Sequence, residues 1–227
     1  MIRIAIDGTA SSGKGTLAKR VAKALGYAYI DTGAIYRTVA LMANRNGIDW
    51  SDNDSLAKLA EQLTVAFKWN GDTLSIYCNG ENVSAAIRTD SIGDGASQVS
   101  IHRSVRKALL GLQRNLANQE SVVMDGRDIG TVIIPQAELK IYVDADIDER
   151  ARRRLEEFIN KGFDTDFETV KSDLIRRDYN DKNRSADPLT KASDALFLDT
   201  TTLTIDDGVS QIMRWAKESL DKKASRQ

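Results

Sequence analysis

Ile2-Arg3-Ile4-Ala5-Ile6-Asp7 runs into Gly8-Thr9-Ala10-Ser11-Ser12-Gly13-Lys14-Gly15-Thr16, and Leu17, Val21 and Leu25 follow at helical spacing. Strand, glycine-rich turn, lysine and helix stand here in the register of a phosphate-cradling P-loop. Glycines let the backbone curl so that several N–H groups face the same phosphate oxygens, and the helix N-terminus adds partial positive charge. Lys14 supplies a full mobile charge for the β and γ phosphates of a nucleoside triphosphate. The pattern departs from the strict form at one place. Gly15 occupies the usual Ser/Thr position and Thr16 comes one later, so both magnesium ligation and a phosphate contact are open to Thr16. A chance lysine in a glycine-rich turn would not explain all four elements in order.

Working outward, other short apolar runs read as buried strands: Tyr27–Ile30, Ser121–Met124, Leu139–Val143 and Ala195–Leu198, each ending at or near an aspartate or glycine. Apolar strands alternating with helices imply a parallel sheet covered on both faces. The fold class expected is α/β, a P-loop-type parallel sheet flanked by helices. Gly26 stops the first helix; Ile35, Val39 and Met42 mark a second, and Ile101, Val105, Leu109, Leu112 and Leu116 a long third. Asp146 with Glu149, Thr165 with Glu168 and Thr204 with Asp207 have capping-box spacing. Val209, Ile212, Met213, Ala216 and Leu220 face inward on the last helix, and the polar tail Asp221–Gln227 is expected to fray. Asn70-Gly71 and Asn79-Gly80 between alternating residues predict a three-stranded antiparallel meander. The chain therefore reads as one P-loop-type domain, with core 1–62, 91–149 and 185–227, a β insert over about 63–90, and a helical lid expected over about 150–165.

Composition narrows the function. Thirty-two basic against thirty-three acidic residues leave a net charge of −1, which gives no reason to propose nucleic acid or anionic membrane as a partner. The single cysteine, Cys78, excludes an intramolecular disulfide, and the single histidine, His102, excludes zinc sites built from several Cys and His. No run approaches the ~18 apolar residues of a membrane helix. A cytoplasmic protein is expected, and a monomer. His102, Cys78 and the three tryptophans read as packing or surface residues.

The remaining charges gather in four places. Asp31-Thr32-Gly33-Ala34-Ile35-Tyr36-Arg37 starts at a strand's carboxyl end, where ligands bind in such sheets; Arg37 is an anion grip or a surface salt bridge. Asp125-Gly126-Arg127-Asp128 follows the strand Ser121–Met124, and a carboxylate there suits magnesium held mainly through water and phosphates. Arg150, Arg152, Arg153 and Arg154 crowd one helix start, either as an exposed charged face or as a lid whose arginines close over ATP and exclude water. Arg177, Asp181 and Arg184 share one helical face, which an i, i+4 ion pair alone would explain for the first two.

These residues together are similar to the bacterial cytidylate kinases. Gly8–Thr16 with its GKGT ending, Asp31–Arg37 as DTGAIYR, Ala96-Ser97-Gln98, Asp125–Asp128 as DGRD, and Arg177…Asp181…Arg184 carry the resemblance, which runs from the first strand to the last helix. Thr32 stands where the family often has serine, keeping the hydroxyl. The resemblance implies transfer of the γ-phosphoryl group from ATP to CMP or dCMP, with magnesium. It implies an acceptor site from Thr32, Arg37, Ser97, Arg106, Arg127, Asp128, Arg177, Asp181 and Arg184, and a lid that begins near Arg150. Gly8 to Thr16 with Arg150, Arg153 and Arg154 would take ATP. Lys14, Arg127 and Arg184 would act on the transferring group, and Thr16 or Asp125 would face the metal. The rival readings are a kinase of the same fold for UMP or a hydroxyl-bearing metabolite, and a P-loop switch that hydrolyses nucleotide.

Overall fold

The computed structural model describes residues 1–224, with side chains through Asp221. Its order is β1 (Arg3–Gly8), α1 (Lys14–Leu25), β2 (Ala28–Asp31), α2 (Thr32–Arg45), α3 (Asn53–Gln62), β3 (Val65–Asn70), β4 (Thr73–Cys78), β5 (Glu81–Asn82), α4 (Asp90–Val99), α5 (Arg103–Ala117), β6 (Val122–Gly126), β7 (Leu139–Asp144), α6 (Ile147–Asn160), α7 (Phe167–Asn183), β8 (Leu196–Asp199) and α8 (Ile205–Ala224). The chain clusters into two units, residues 1–29 with 120 onward, and residues 30–119.

The first unit is built on a five-stranded sheet ordered β2-β6-β1-β7-β8. β1 pairs in parallel with both β6 and β7, and β7 in parallel with β8. The strands are apolar on both faces because helices cover them; Ile4, Ala5, Ile6, Val122, Val123, Met124 and Val143 are fully buried. α1 packs on β6 and on α8, and α6 packs on α7. All five expected strands are present within two residues of their expected limits. The β1 position is central, so its carboxyl end delivers the P-loop to the middle of the sheet edge.

The second unit carries α2 to α5 and the antiparallel sheet β3-β4-β5, which is the expected meander. Its second turn is as read: Asn79 (φ 48°) and Gly80 (φ 86°) both take positive φ between the paired Cys78 and Glu81. The first is shifted. Asn70 stays in the strand opposite Thr73, and the turn is Gly71-Asp72, with Gly71 at φ 59°. Asn70 Nδ2 donates to Ser75 Oγ instead of entering the turn.

The expected third helix is α5, which begins at Arg103 rather than Ile101; Ile101 is exposed, and a helix that the apolar pattern did not mark, α4, ends just before it at Val99. Gly93, Gly95 and polar residues hide α4 from the apolar pattern, yet Gly95 is needed because a Cβ there would stand 2.5 Å from the Trp50 ring. Helix α3 was equally unmarked. Thr165 does not cap α7; Asp166 does, accepting from Thr169 N–H. Asp146 and Thr204 cap as expected. Residues 221–224 continue α8, and the expectation of fraying otherwise lies outside the described residues. No described helix is long and apolar enough to cross a membrane.

Candidate active site

The P-loop is shaped by close approach and by side chains from distant elements. A Cβ on Gly8 would lie 2.0 Å from the carbonyl oxygen of Val143, so the exit from β1 against β7 admits only glycine. Gly13, at φ 80°, sits immediately before α1, in the left-handed region that favours glycine. Thr9 donates its hydroxyl to Asp144 Oδ1 at 2.6 Å, Ser12 Oγ donates to Thr9 O, and Thr200 Oγ1 donates to Ser12 O. Lys14 lies along the loop with Nζ 3.0 Å from Thr9 O, and is 9% exposed. Thr16 is exposed on the first turn of α1.

Of the arginines expected in a lid, Arg153 lies beside the loop: its Nη1 is 3.9 Å from where a Cβ on Gly13 would stand, and it donates to Thr200 and Glu149. Arg154 stacks on the Phe158 ring and pairs with Glu157. Arg150 departs from the lid expectation. It is buried, with Nε on Ala145 O and Nη1 on both Ala10 O (3.1 Å) and Asp178 Oδ2 (2.6 Å). Its contacts are with the protein because it starts the helix against the loop rather than projecting from it.

At the carboxyl end of β6, Asp125 is buried and accepts from Tyr29 Oη at 2.8 Å; its Oδ2 is 3.6 Å from a Cβ built on Gly15. A single buried carboxylate beside the first turn of α1 is an oxygen donor of the kind magnesium takes, with phosphates and water as its other ligands. Among the described residues no three His, Cys, Asp or Glu side chains converge.

Arg127 and Asp128 begin the turn after β6, and α7 brings Asp181 and Arg184 to them. Arg127 Nε donates to Asp181 Oδ2 at 2.6 Å, while Arg184 Nη1 is 3.8 Å from Asp181 and its Nη2 3.4 Å from Asp128. Burial by itself would raise the Asp181 pKa, but Arg127, then Arg184 and Lys14, outweigh it and hold the carboxyl below its usual value. Asp181 thus answers to Arg127 and Arg184, not simply to an i, i+4 neighbour. Arg184 is only 9% exposed, and its Nε and Nη2 also bond Asp187 O. Arg177 lies half-buried on α7.

In the second unit Asp31 caps α2 through Ala34 N–H and pairs with Arg37 Nη2 at 2.7 Å. Arg37 Nε is buried and meets no acceptor among the described residues. A buried donor without an acceptor is costly unless a ligand supplies one. Thr32 is buried at the start of α2. Arg106, buried on α5, has its guanidinium 5.5 Å from the Tyr36 ring centre and donates to Ser100 O. Ser97 is half-buried on α4.

A family model described as cytidylate kinase matches residues 4–218 of this chain. The chain belongs to the cytidylate kinase family. It is 46% identical over 212 residues to the cytidylate kinase of Lactobacillus gasseri, covering 93% of this chain and 92% of that one. It is 45% identical over 221 residues to the cytidylate kinase of Bacillus cytotoxicus, covering 97% and 98%. An uncharacterised protein from Eubacterium ventriosum shares the fold, with a TM-score of 0.53 at 14% identity over 95% of this chain and 98% of that one.

For a member of the cytidylate kinase family, the structure adds residues that no motif announced. Asp178, next to Arg177, grips the loop at Ala10. Asp144 and Thr200, at the ends of β7 and β8, bond Thr9 and Ser12. Asp7 is buried, accepting the N–H groups of Ile129 and Gly130 at 2.8 Å each. That carboxylate holds the π-helical turn Ile129–Ile133 that follows Asp128. The only hint in the sequence was position, since all but Asp178 terminate or follow strands.

Proposed function

We propose that this cytidylate kinase family member transfers the γ-phosphoryl group of ATP to CMP or dCMP by neutralising two anions separately and aligning them. The triphosphate lies on the backbone N–H groups of residues 8–16, with Lys14 turning from Thr9 O to the β and γ phosphates. Arg153 and Arg154 cover the same phosphates. Magnesium fits Asp125 and Thr16 as hard oxygen donors, acting through water and phosphate. When bound it neutralises charge on the phosphates. Arg37, Arg127 and Arg184 take the acceptor's phosphate, because guanidinium binds phosphate in a bidentate fork. Thr32, Arg177 and Asp181 orient these groups. No general base is required, since the attacking phosphate oxygen is already anionic. We place the enzyme in the cytoplasm, as a lone buried Cys78 suits a reducing compartment.

The base is assigned to Asp128, Arg106 and Ser97. An ionised carboxylate only accepts and a guanidinium only donates. Cytosine offers an N4 amine as donor and N3 and O2 as acceptors. Uracil reverses positions 4 and 3, and would leave buried groups without partners. A site of this kind can reject the wrong base by up to roughly 10⁴-fold.

The observation that supports this reading is a lysine-bearing P-loop in the same unit as the paired charges Arg127, Asp128, Asp181 and Arg184. Coupled ADP release across the monophosphates tests it. CMP and dCMP should be far better acceptors than UMP, and Asp128→Ala should narrow the gap chiefly by harming CMP. Equal kcat/KM for CMP and UMP would turn the assignment toward a general pyrimidine kinase, and ADP release without an acceptor toward a switch.

A further inference from the structure

Ala10, at the top of the P-loop, is held by both of its backbone polar groups. Its N–H donates to Asp178 Oδ1 at 3.2 Å and its carbonyl accepts from Arg150 Nη1 at 3.1 Å. The two side chains close the ring by a 2.6 Å hydrogen bond of their own. Arg150 Nε is anchored on Ala145 O and lies 3.8 Å from Asp144, the acceptor for the Thr9 hydroxyl. Ala10, Arg150 and Asp178 are each less than a tenth exposed. The Ala10 methyl belongs to an apolar cluster with Ala151, Val170 and Leu174.

We propose that Arg150 and Asp178 are positioning residues that fix the P-loop's peptide planes for the triphosphate. A cradle works only if its N–H groups already point inward, because reorienting them on binding costs affinity. Glycine and serine give the loop that curvature but no rigidity. The clamp supplies the rigidity from α6 and α7. It also fixes where lid motion can start: residue 150 is tied to the loop, so only the helix beyond it is at liberty to swing. An ion pair retained merely for stability would have no reason to enclose the N–H and C=O of one loop residue. Replacing buried pairs by apolar residues is often neutral for stability.

This inference rests on the P-loop reading above, and the test separates them. Asp178→Asn keeps an acceptor for Ala10 N–H but loses the charge facing Arg150. Arg150→Lys keeps the charge but cannot reach Ala145 O and Ala10 O together. Each should raise the KM for ATP about tenfold, as expected for a lost buried hydrogen bond, while the KM for CMP moves less than twofold. The paired variant Arg150→Met with Asp178→Leu removes both charges at once, so no unpaired charge is left buried; it loses the bonds to Ala10 and Ala145 and should melt lower than wild type, yet show the same selective ATP defect. Calorimetric titration with ATP alone reads the clamp even if no acceptor is phosphorylated, so failure of wild-type CMP turnover counts against the function and not against the clamp. ATP affinity within twofold of wild type in the paired variant overturns the proposal. So does a parallel rise in both KM values that tracks the fall in melting temperature.

Discussion

Asp7 is nearly solvent-free, and burial pushes its carboxyl up from the ordinary 3.8 to about 6; the N–H groups of Gly130 and Ile129 oppose this, Asp128 adds to it, and Arg127 offsets it. Below pH 3.8 the folded and unfolded chains both hold the proton, and the group adds no pH dependence. Between 3.8 and about 6 the unfolded chain releases the proton while the folded chain keeps it, so folding is favoured at the acid end. Stability is lost as pH rises through that window. At about 1.36 kcal/mol for each pH unit, the gap amounts to roughly 3 kcal/mol once pH exceeds 6. Asp7→Asn removes this titration but leaves one of two backbone N–H groups facing an amide NH₂, a cost of about 1–3 kcal/mol at every pH. The variant should therefore be less stable than wild type at pH 4 and equal to it or more stable at pH 7 to 8. Urea denaturation at half-unit pH intervals measures the difference. A wild-type minus variant stability that is constant across this range, or that grows with pH, would refute the reasoning.

Three further outcomes follow from the site. Lys14→Ala should cost several kcal/mol of transition-state stabilisation, on the scale of an oxyanion donor or more, and wild-type turnover would remove the P-loop assignment. Because Lys14 is buried against Thr9 O, its melting temperature should also be recorded. Methionine at Arg37, Arg127 or Arg184 should weaken CMP binding while ATP affinity holds, and the reverse pattern in titrations would mean the two anion sites are exchanged. In hydrogen exchange, the segment from Arg152 to Phe163 should gain protection on binding a bisubstrate analogue, while residues 147–150 are protected throughout. High protection of the whole helix in the free protein would favour an ordinary charged helix.

The apolar strands, the P-loop and the Asn79-Gly80 turn could be read directly because each is a local pattern with a local cause. Period and composition define a buried strand, and positive φ demands particular residues. Helix α4 could not, since a helix rich in glycine and polar residues shows no apolar stripe, and a partner ring, Trp50, decides its packing. The one-residue shifts at Asp166 and Gly71 have a related origin: neighbouring residues offered nearly equivalent caps and turns. Among site residues, Asp128, Asp181 and the arginines were evident as charges near strand and helix ends, but not whom they would pair with.

By itself the sequence determined the α/β class, the glycine-rich P-loop after β1 and the kinds of charged residue found near the strand ends. Those follow from steric rules and charge, which act over a few residues. The tertiary structure decided which partner each of those charges meets within the protein. Arg150 and Arg153 are alike in sequence, yet one is locked between Ala10, Ala145 and Asp178 while the other lies beside Gly13. Asp178 and Asp7 likewise gained their roles only when segments more than a hundred residues away were folded against them. Burial makes each such carboxylate costly unless it is bonded, so its partners, set by the fold, determine what it does.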